Sequence, residues 1–254
     1  MVNLFINKLL RPQSSGGLFG DTQAYYGTVE AQGRLTLHLH CLIWIKGSLS
    51  PQELRDRLKS EDQEFRDQMV AWLDSIYQGQ FSTGTESEIG NKFKQIPHAL
   101  DEQASYDDRS NGGILSVLPD VPACDMTDSQ LDQWYHQLCI DSDKIAYLSN
   151  RHNPNHGYGC MTSSGRCRAR FPRDVRQITE VDTSDGVIHV KHKEPWMNNY
   201  NNVLTYLMRC NTDVVSMQSG TQLRVIIAYI TDYVTKMSLK THAAFDAVKM
   251  VLNK

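Results

Sequence analysis

The chain has 254 residues, of which 40% are hydrophobic and 22% charged, a balance typical of a globular protein and not of a disordered one. No stretch approaches the ~20 apolar residues that span a bilayer, so we expect no membrane partner. The net charge of -3 gives no sign of nucleic-acid binding, yet residues 1–150 hold 12 Lys and Arg against 21 Asp and Glu, whereas residues 151–254 hold 14 against 8. The basic second part can therefore present a phosphate-binding face.

The first predicted elements are two strands, at Tyr25–Ala31 and Arg34–Ile45, because both runs are rich in β-branched and aromatic residues. Gln32-Gly33 supplies a turn signal between them. The second run is apolar at nearly every position except its histidines, which predicts a strand buried on both faces. Before the strands, Met1–Leu10 has apolar residues but no clear cleavage site after them, so no signal peptide is expected.

A helix start follows at Ser50-Pro51-Gln52-Glu53, where Ser50 can cap, Pro51 suits the first helical position and Glu53 completes a capping box. Apolar residues at helical spacing then predict one or two amphipathic helices over Pro51–Tyr77. Residues 79–122 are dominated by Gly, Ser, Thr, Asp and Glu and lose this periodicity. They are predicted to form an irregular, partly mobile insertion.

The remaining elements alternate between helices and a hairpin. Helical periodicity returns over about Ser129–Leu148. A hairpin is predicted with strands at Gln177–Val181 and Val187–His192 around a turn at residues 182–186. Two further helices are predicted, over about Asn202–Arg209 and Thr221–Lys236.

His38 and His40 are the most informative pair of residues. On a strand, alternate residues share a face, so both imidazoles point the same way and their ring nitrogens can meet at one divalent cation. Such a cation keeps coordination positions open for a phosphate oxygen and acts as a Lewis acid. The alternative is a pair of hydrogen-bonded core histidines, but two buried imidazoles without partners would be costly.

A third metal ligand is expected, and Glu30 and Gln32 are the nearest candidates. A three-residue loop at Ala31–Gly33 pairs Glu30 with Arg34 and puts it on the face of the two histidines. A two-residue loop pairs Glu30 with Leu35 and turns it away. Gln32 lies in the turn itself, and the sequence leaves the choice open.

Tyr229 and Tyr233 lie one helical turn apart, so their side chains are neighbours on a helix face. Lys236 and Lys240 fall on or near the same stripe. An amphipathic helix with two half-buried tyrosines is the simpler interpretation. The chemical interpretation is that a phenol, a weak nucleophile with a pKa of ~10, attacks a metal-polarised phosphate while a cation such as Lys236 stabilises the developing charge.

Four blocks, taken in this order, carry a resemblance to a known family: Gly17–Trp44, Gly165–Arg173, Val203–Asp213 and Ala228–Lys236. Together they resemble the Helitron Rep family of eukaryotic rolling-circle transposases, which are HUH-type endonucleases. The resemblance implies an α+β fold with a central antiparallel sheet flanked by helices, and a single nuclease domain over residues 1–254. It also implies a nuclear protein that acts on single-stranded DNA at transposon ends and leaves a 5′-phosphotyrosine and a free 3′ hydroxyl.

The resemblance also assigns roles to residues of this chain. It implies that Tyr229 and Tyr233 are the paired nucleophiles and that Lys236 is the basic residue after them. The implied metal is Mg²⁺ or Mn²⁺, and its implied ligands are His38 and His40, with Glu30 or Gln32 nearby.

Two departures from the family pattern stand out. Asp232 occupies a position where the family often has lysine, a change that can weaken contact with DNA. Full-length members also carry a C-terminal helicase domain, whereas this chain ends at Lys254 and contains no G-x-x-x-x-G-K-[ST] loop. We therefore expect the helicase domain to be missing from it.

A second metal site is suggested by zinc-ligand residue types whose spacing is not that of a standard finger: His152, His156, Cys160 and Cys167. The six cysteines of the chain are scattered, which favours free thiols in a reducing compartment over a disulfide framework. An incidental loop is the alternative to structural Zn²⁺. Five arginines in the same stretch are candidates to contact the DNA backbone: Arg166, Arg168, Arg170, Arg173 and Arg176.

Three functions are consistent with these patterns. The leading one is a metal-dependent enzyme that nicks and joins single-stranded DNA. The second is a DNA-binding remnant that has kept the fold and lost catalysis. The third is a zinc-stabilised interaction module in which the His and Cys residues are purely structural. The intact histidine and tyrosine pairs favour the first.

Overall fold

The computed structural model describes residues 1–31, 37–94, 118–152, 160–228 and Thr231. These residues fall into two compact units. The first takes its described residues from Met1–Ser60 and from Met217 onward, and the second takes them from Glu61–Ser216. That the whole chain forms a single nuclease domain stays a prediction.

Among its described residues, the first unit contains an N-terminal helix, a hairpin, a second helix and the helical residues 220–228. The N-terminal helix begins as α1 (Val2–Leu4) and continues as a π-helix (Phe5–Leu10). Strands β1 (Thr22–Ala31) and β2 (Leu37–Ile45) are antiparallel, and α2 (Pro51–Lys59) follows them. Buried apolar side chains come from the π-helix, the loop before β1, β2 and α2: Phe5, Leu10, Phe19, Leu42, Leu54 and Leu58.

The start of α2 confirms the predicted capping box. The Ser50 hydroxyl accepts the Glu53 N–H at 3.3 Å, and the Glu53 carboxylate accepts the Ser50 N–H at 2.9 Å. Because all the partners lie within four residues of each other, the sequence alone specifies where the helix begins.

The prediction that the second strand is buried on both faces is wrong. Of the residues in β2, Leu42 is buried, whereas Leu37 is 76% exposed and Trp44 is 44% exposed. In the described part of the chain, β2 has β1 as its hydrogen-bonded neighbour in a two-stranded sheet. A sheet of this width leaves part of each face open, so apolar composition overestimates the burial of the strand.

The second unit contains four helices and a short hairpin among its described residues: α3 (Gln63–Ile76), α4 (Glu86–Lys94), α5 (Asp128–Ser149), β3 (Glu180–Asp182), β4 (Val187–His189) and α6 (Asn202–Met208). Of the one or two helices predicted over Pro51–Tyr77, two are observed. The helices predicted over about Ser129–Leu148 and Asn202–Arg209 are confirmed. The predicted hairpin is confirmed in place, but its strands are shorter than the predicted Gln177–Val181 and Val187–His192. Helix α4 is a correction, because it lies within the segment predicted to be irregular.

Helix α5 organises the core of the second unit. One apolar cluster joins α5 and α4 to the loop before α6: Phe81, Ile89, Ala146, Met197 and Tyr200. A second cluster joins α5 to α6: Leu138, Cys139 and Tyr206, with Trp134, Val203 and Leu207 packed against them. These contacts unite segments that are far apart in the sequence.

A fully buried carboxylate ties the same segments together. Asp143 accepts hydrogen bonds from the Ser82 N–H at 2.8 Å, from the Thr83 N–H at 2.6 Å and from the Thr83 hydroxyl at 2.7 Å. It also accepts one from the Tyr200 hydroxyl at 2.8 Å. Burial first, and the adjacent Asp143 carboxylate second, raise the pKa of Tyr200 well above its ordinary value, so this phenol stays a donor.

The predicted α+β class is confirmed, but the arrangement of the strands differs from the expectation. The described residues form two separate two-stranded antiparallel sheets, β1–β2 and β3–β4, where a larger central sheet was expected. The HUH-type arrangement stays a prediction. Within the described residues, no helix has both the length and the apolar character needed to cross a bilayer.

Candidate functional site

His38 and His40 lie on one face of the β1–β2 hairpin, as their alternation along β2 requires. Their ring centroids are 4.7 Å apart, and the ring planes are inclined at 59°. Both side chains are half-buried. The two imidazoles are therefore neighbours on this face.

Glu30 supplies a carboxylate to the same face. It pairs with His38 in the β1–β2 register, and its Oε2 atom lies 3.5 Å from Nε2 of His40. The hairpin therefore brings two imidazoles and one carboxylate together. We call Glu30, His38 and His40 the hairpin cluster.

Neither of the two predicted turn registers is observed. Glu30 pairs with His38, not with Arg34 or Leu35. The observed partner lies four positions beyond Arg34, and an even shift keeps a side chain on the same face of a sheet. The three-residue-loop alternative is thus wrong about the residue that pairs with Glu30. It is right that Glu30 lies on the face of the two histidines. The other candidate ligand, Gln32, lies outside the described residues.

Burial shifts the pKa of one residue on each face of the hairpin, His38 and Cys41. Burial first, and the neighbouring His40 second, lower the pKa of His38, whereas Glu30 raises it. His38 therefore favours the neutral form, which is the form that ligates metals. On the opposite face, burial raises the pKa of the Cys41 thiol to about 11, so Cys41 is not a thiolate.

The predicted nucleophiles Tyr229 and Tyr233 and the predicted cations Lys236 and Lys240 lie outside the described residues. The structure does describe the start of their predicted helix. Residues 220–228 are helical, and the Ser219 hydroxyl before them accepts the Gln222 N–H at 3.1 Å. This segment belongs to the same compact unit as the hairpin cluster.

A second cluster forms in the other unit. The ligand atoms of His152, Cys160 and Cys167 all lie within 4.8 Å of one another. The two Sγ atoms are 3.3 Å apart, and Cys167 Sγ lies 3.4 Å from Nε2 of His152. These three residues, called the His/Cys cluster below, form a candidate metal site. His156, the fourth predicted ligand, lies outside the described residues.

Backbone hydrogen bonds bring the two cysteines together. The Arg168 N–H donates to the Cys160 carbonyl at 2.7 Å, and the Thr162 N–H donates to the Arg166 carbonyl at 2.8 Å. Gly165 turns the chain between these bonds with φ of 76°, a conformation that favours glycine. The result is a small closed loop whose two ends carry the thiols.

Aromatic stacking supports His152, and sequence reasoning missed it. The His152 ring stacks on Phe171 at a centroid distance of 4.4 Å, and Trp196 lies nearly parallel to both rings. The Trp196 carbonyl also accepts the His152 N–H at 2.6 Å. Trp196 lies too far along the chain for any local pattern to indicate this contact.

The five predicted DNA-binding arginines divide into two groups. Arg166, Arg168 and Arg170 are exposed on or beside the closed loop. Arg173 lies over the Phe171 ring at 4.5 Å and donates to Asn198. Arg176 pairs with Asp174 at 3.4 Å.

One comparison with known proteins gives a match. Residues 1–43 match the family model described as the Helitron helicase-like domain at the N-terminus. No curated protein and no solved structure matches the chain. The matched segment contains all three residues of the hairpin cluster, and the predicted Helitron-like resemblance is thereby confirmed over this segment of the chain.

Proposed function

We propose that this chain is a metal-dependent tyrosine endonuclease and strand transferase that nicks single-stranded DNA in rolling-circle transposition. The hairpin cluster carries the proposal. His38 and His40 share one face, and the Glu30 carboxylate lies 3.5 Å from His40 within the segment similar to the Helitron helicase-like domain. A carboxylate suits both Mg²⁺ and Mn²⁺, and two imidazoles favour Mn²⁺ of the two, because nitrogen ligands prefer transition metals.

The chemistry that follows is transfer of a phosphodiester to a phenol. A divalent cation held by the hairpin cluster would polarise a phosphate oxygen. The phenol oxygen of Tyr229 or Tyr233 loses its proton and bonds to phosphorus, while the bond from phosphorus to the 3′ oxygen breaks. The 3′ oxygen gains a proton, and the 5′ phosphate stays on the tyrosine. Lys236 would offset the developing negative charge.

The test is whether a covalent protein–DNA adduct forms. Purified chain is mixed with labelled single-stranded oligonucleotides, including candidate transposon ends, with and without Mn²⁺, and resolved on a denaturing gel. We expect a metal-dependent adduct that the Tyr229→Phe/Tyr233→Phe variant does not form. The control is Tyr25→Phe, which alters an exposed tyrosine and should keep the adduct.

A DNA-binding remnant is the second candidate function, and the exposed arginines beside the His/Cys cluster favour it. We propose that this cluster holds Zn²⁺, since thiolates and imidazole suit that ion. The closed loop would then present Arg166, Arg168 and Arg170 to DNA phosphates. DNA binding without any adduct, on every substrate and metal tried, would select the remnant over the nuclease. Either function places the protein in the nucleus.

A further inference from the structure

Two exposed aromatic residues share the face of the hairpin that carries the histidines. In the β1–β2 register, Tyr26 pairs with Leu42 and Ala24 pairs with Trp44. Tyr26 and Trp44 therefore lie on the same face of the hairpin as His40. Tyr26 is 47% exposed and Trp44 is 44% exposed.

Tyr26 lies between the histidines and Trp44 along this face of the hairpin. Tyr26 is diagonal to both His40 and Trp44, and diagonal neighbours on adjacent strands are within reach of aromatic side chains. Leu42, between His40 and Trp44, is buried and gives the face an apolar floor. Ala24, opposite Trp44, is small and exposed, so it leaves space over the indole.

The charges on this face are compatible with a polyanion at its aromatic end. Among the residues of β1 and β2 on the histidine face, Glu30 is the acidic one, and it lies at the opposite end from Trp44. The exposed Lys46 directly follows β2 beyond Trp44, and its N–H donates to the carbonyl of the exposed Asp21, whose carboxylate accepts the Gly16 N–H. A DNA strand leaving the hairpin cluster toward Trp44 would thus meet aromatic rings and a lysine.

We infer that Tyr26 and Trp44 form a base-stacking platform for the nucleotides of single-stranded DNA next to the phosphate at the hairpin cluster. The inference rests on the proposed function, which places that phosphate. Aromatic side chains bind single strands by stacking on successive bases, and they tolerate any base because every base has a π face. The platform would hold the strand by its bases, whereas the exposed arginines of the other unit are candidates to contact its phosphates.

The opposite face of the hairpin supplies a matched control. Tyr25 is 44% exposed, almost the same as Tyr26, and it neighbours Tyr26 on the same strand. Its partner in the register is Ile43, so its side chain lies on the face without the histidines. Tyr25→Ala therefore removes the same ring from the same strand at the same exposure.

The test measures the affinity of the full chain for two oligonucleotides of equal length and charge, one with bases and one abasic, by fluorescence anisotropy without added metal. We expect Tyr26→Ala and Trp44→Ala each to weaken binding of the base-containing strand by roughly 5-fold or more. Binding of the abasic strand and the dependence of log affinity on log salt should not change, because no phosphate contact is lost. Tyr26→Phe and Trp44→Phe should restore most of the affinity, and Tyr25→Ala should match the wild type.

Two results would overturn the platform. One is an affinity of the alanine variants for the base-containing strand equal to that of Tyr25→Ala. The other is equal weakening on both strands, since that indicates a general loss of structure or of backbone contact.

The adduct assay keeps this inference separate from the proposed function. If the wild type forms the adduct but the platform variants bind bases normally, the platform is wrong and the nuclease stands. If the wild type forms no adduct but the variants selectively lose base-containing DNA, the nuclease is wrong and the platform stands.

Discussion

The hairpin cluster and the His/Cys cluster are built in different ways. The first takes Glu30, His38 and His40 from two strands that follow each other directly in the chain, and their relative placement depends on strand register. The second takes His152 from just beyond the end of α5 and two cysteines from a closed loop. Its geometry depends on tertiary packing, since His152 is supported by the rings of Phe171 and Trp196. Periodicity therefore places the two histidines of the first cluster on one face, whereas composition only suggests the second cluster.

Removing a thiol from the His/Cys cluster should have the most complete effect, the loss of the bound metal. Cys167 contacts both other members, at 3.3 and 3.4 Å, so Cys167→Ser deletes the shared neighbour. We expect bound zinc to fall from about one ion per chain to none, and the thermal midpoint to fall by roughly 5 °C or more, because a structural zinc contributes folding free energy directly. Metal analysis and thermal denaturation with and without a chelator measure both.

The control for this prediction is Cys124→Ser, which replaces an exposed free cysteine and should leave zinc content and midpoint unchanged. A Cys167→Ser protein that keeps its zinc would show that the cluster is an incidental meeting of side chains. The hairpin cluster would then be the one remaining candidate metal site among the described residues.

The buried carboxylate of Asp143 tests whether long-range contacts hold the second unit together. Asp143→Asn replaces an acceptor oxygen with an amide that faces N–H and O–H donors, including the Tyr200 hydroxyl. Because hydrogen bonds to a charged group contribute about 1.5–3 kcal/mol each, we expect the free energy of unfolding to fall by about 3–5 kcal/mol. Urea denaturation measures this loss.

Asp132→Asn is the matched control on the same helix, α5. Asp132 is exposed. The substitution should change the free energy of unfolding by less than about 0.5 kcal/mol, as is usual for surface positions. Equal effects of the two substitutions would contradict the central role assigned to Asp143.

Local chemistry was readable from the sequence. The capping box at Ser50 and Glu53 placed the start of α2, and alternation placed His38 and His40 on one face. Helix α4 carried the same kind of signal, because Thr85 and Glu88 form reciprocal N-terminal hydrogen bonds at 2.7 and 3.3 Å. The polar composition of the surrounding segment concealed it.

Features set by distant contacts were not readable. The partner of Glu30 depends on the length of the connection between the strands, and the turn signal at Gln32-Gly33 predicted a shorter one. The exposure of Trp44 depends on how many strands cover β2, which an apolar run does not specify. Trp196 stacks on His152 although the two residues are far apart in the sequence, so no local pattern indicates this contact.

Substituting the histidines of the hairpin cluster should have the next largest effect, and that effect should be on the rate of catalysis. His38→Ala and His40→Ala are each expected to slow formation of the covalent DNA adduct at least about 100-fold, because even residues that only orient metal ligands contribute 10- to 100-fold. This corresponds to about 2.7 kcal/mol in activation free energy. Single-turnover adduct kinetics at saturating Mn²⁺ measure it.

Leu39→Ala is a suitable control because Leu39 lies between the two histidines on the opposite face of β2. It should slow the adduct far less than either histidine variant. Wild-type kinetics in His38→Ala and His40→Ala would remove the hairpin cluster from the chemistry.

The smallest expected effect is a pH dependence of stability that originates in the second unit. His192 is buried, its Nδ1 lies 2.9 Å from the Asn199 amide oxygen, and Arg173 and Arg176 are charged groups near it. Burial is the main cause that lowers the pKa of His192 below its ordinary value, with smaller contributions from the two arginines, whereas hydrogen bonds to Asn199 and the Glu194 backbone raise it. The folded chain therefore holds this imidazole neutral.

The sign of the effect follows from where protons bind. Below the unfolded pKa of ~6.5 the unfolded chain takes up a proton that the folded chain resists, so the free energy of unfolding falls as the pH falls. One such group contributes at most about 1.4 kcal/mol per pH unit, and nothing above neutrality.

Urea denaturation from pH 7.5 to 5.5 should show a steeper decline in the free energy of unfolding in the wild type than in His192→Gln. His136→Gln, which replaces an exposed histidine of α5, should keep the wild-type slope. Parallel slopes in the wild type and in His192→Gln would mean that His192 is as free to ionise in the folded chain as in the unfolded one, contrary to its buried position.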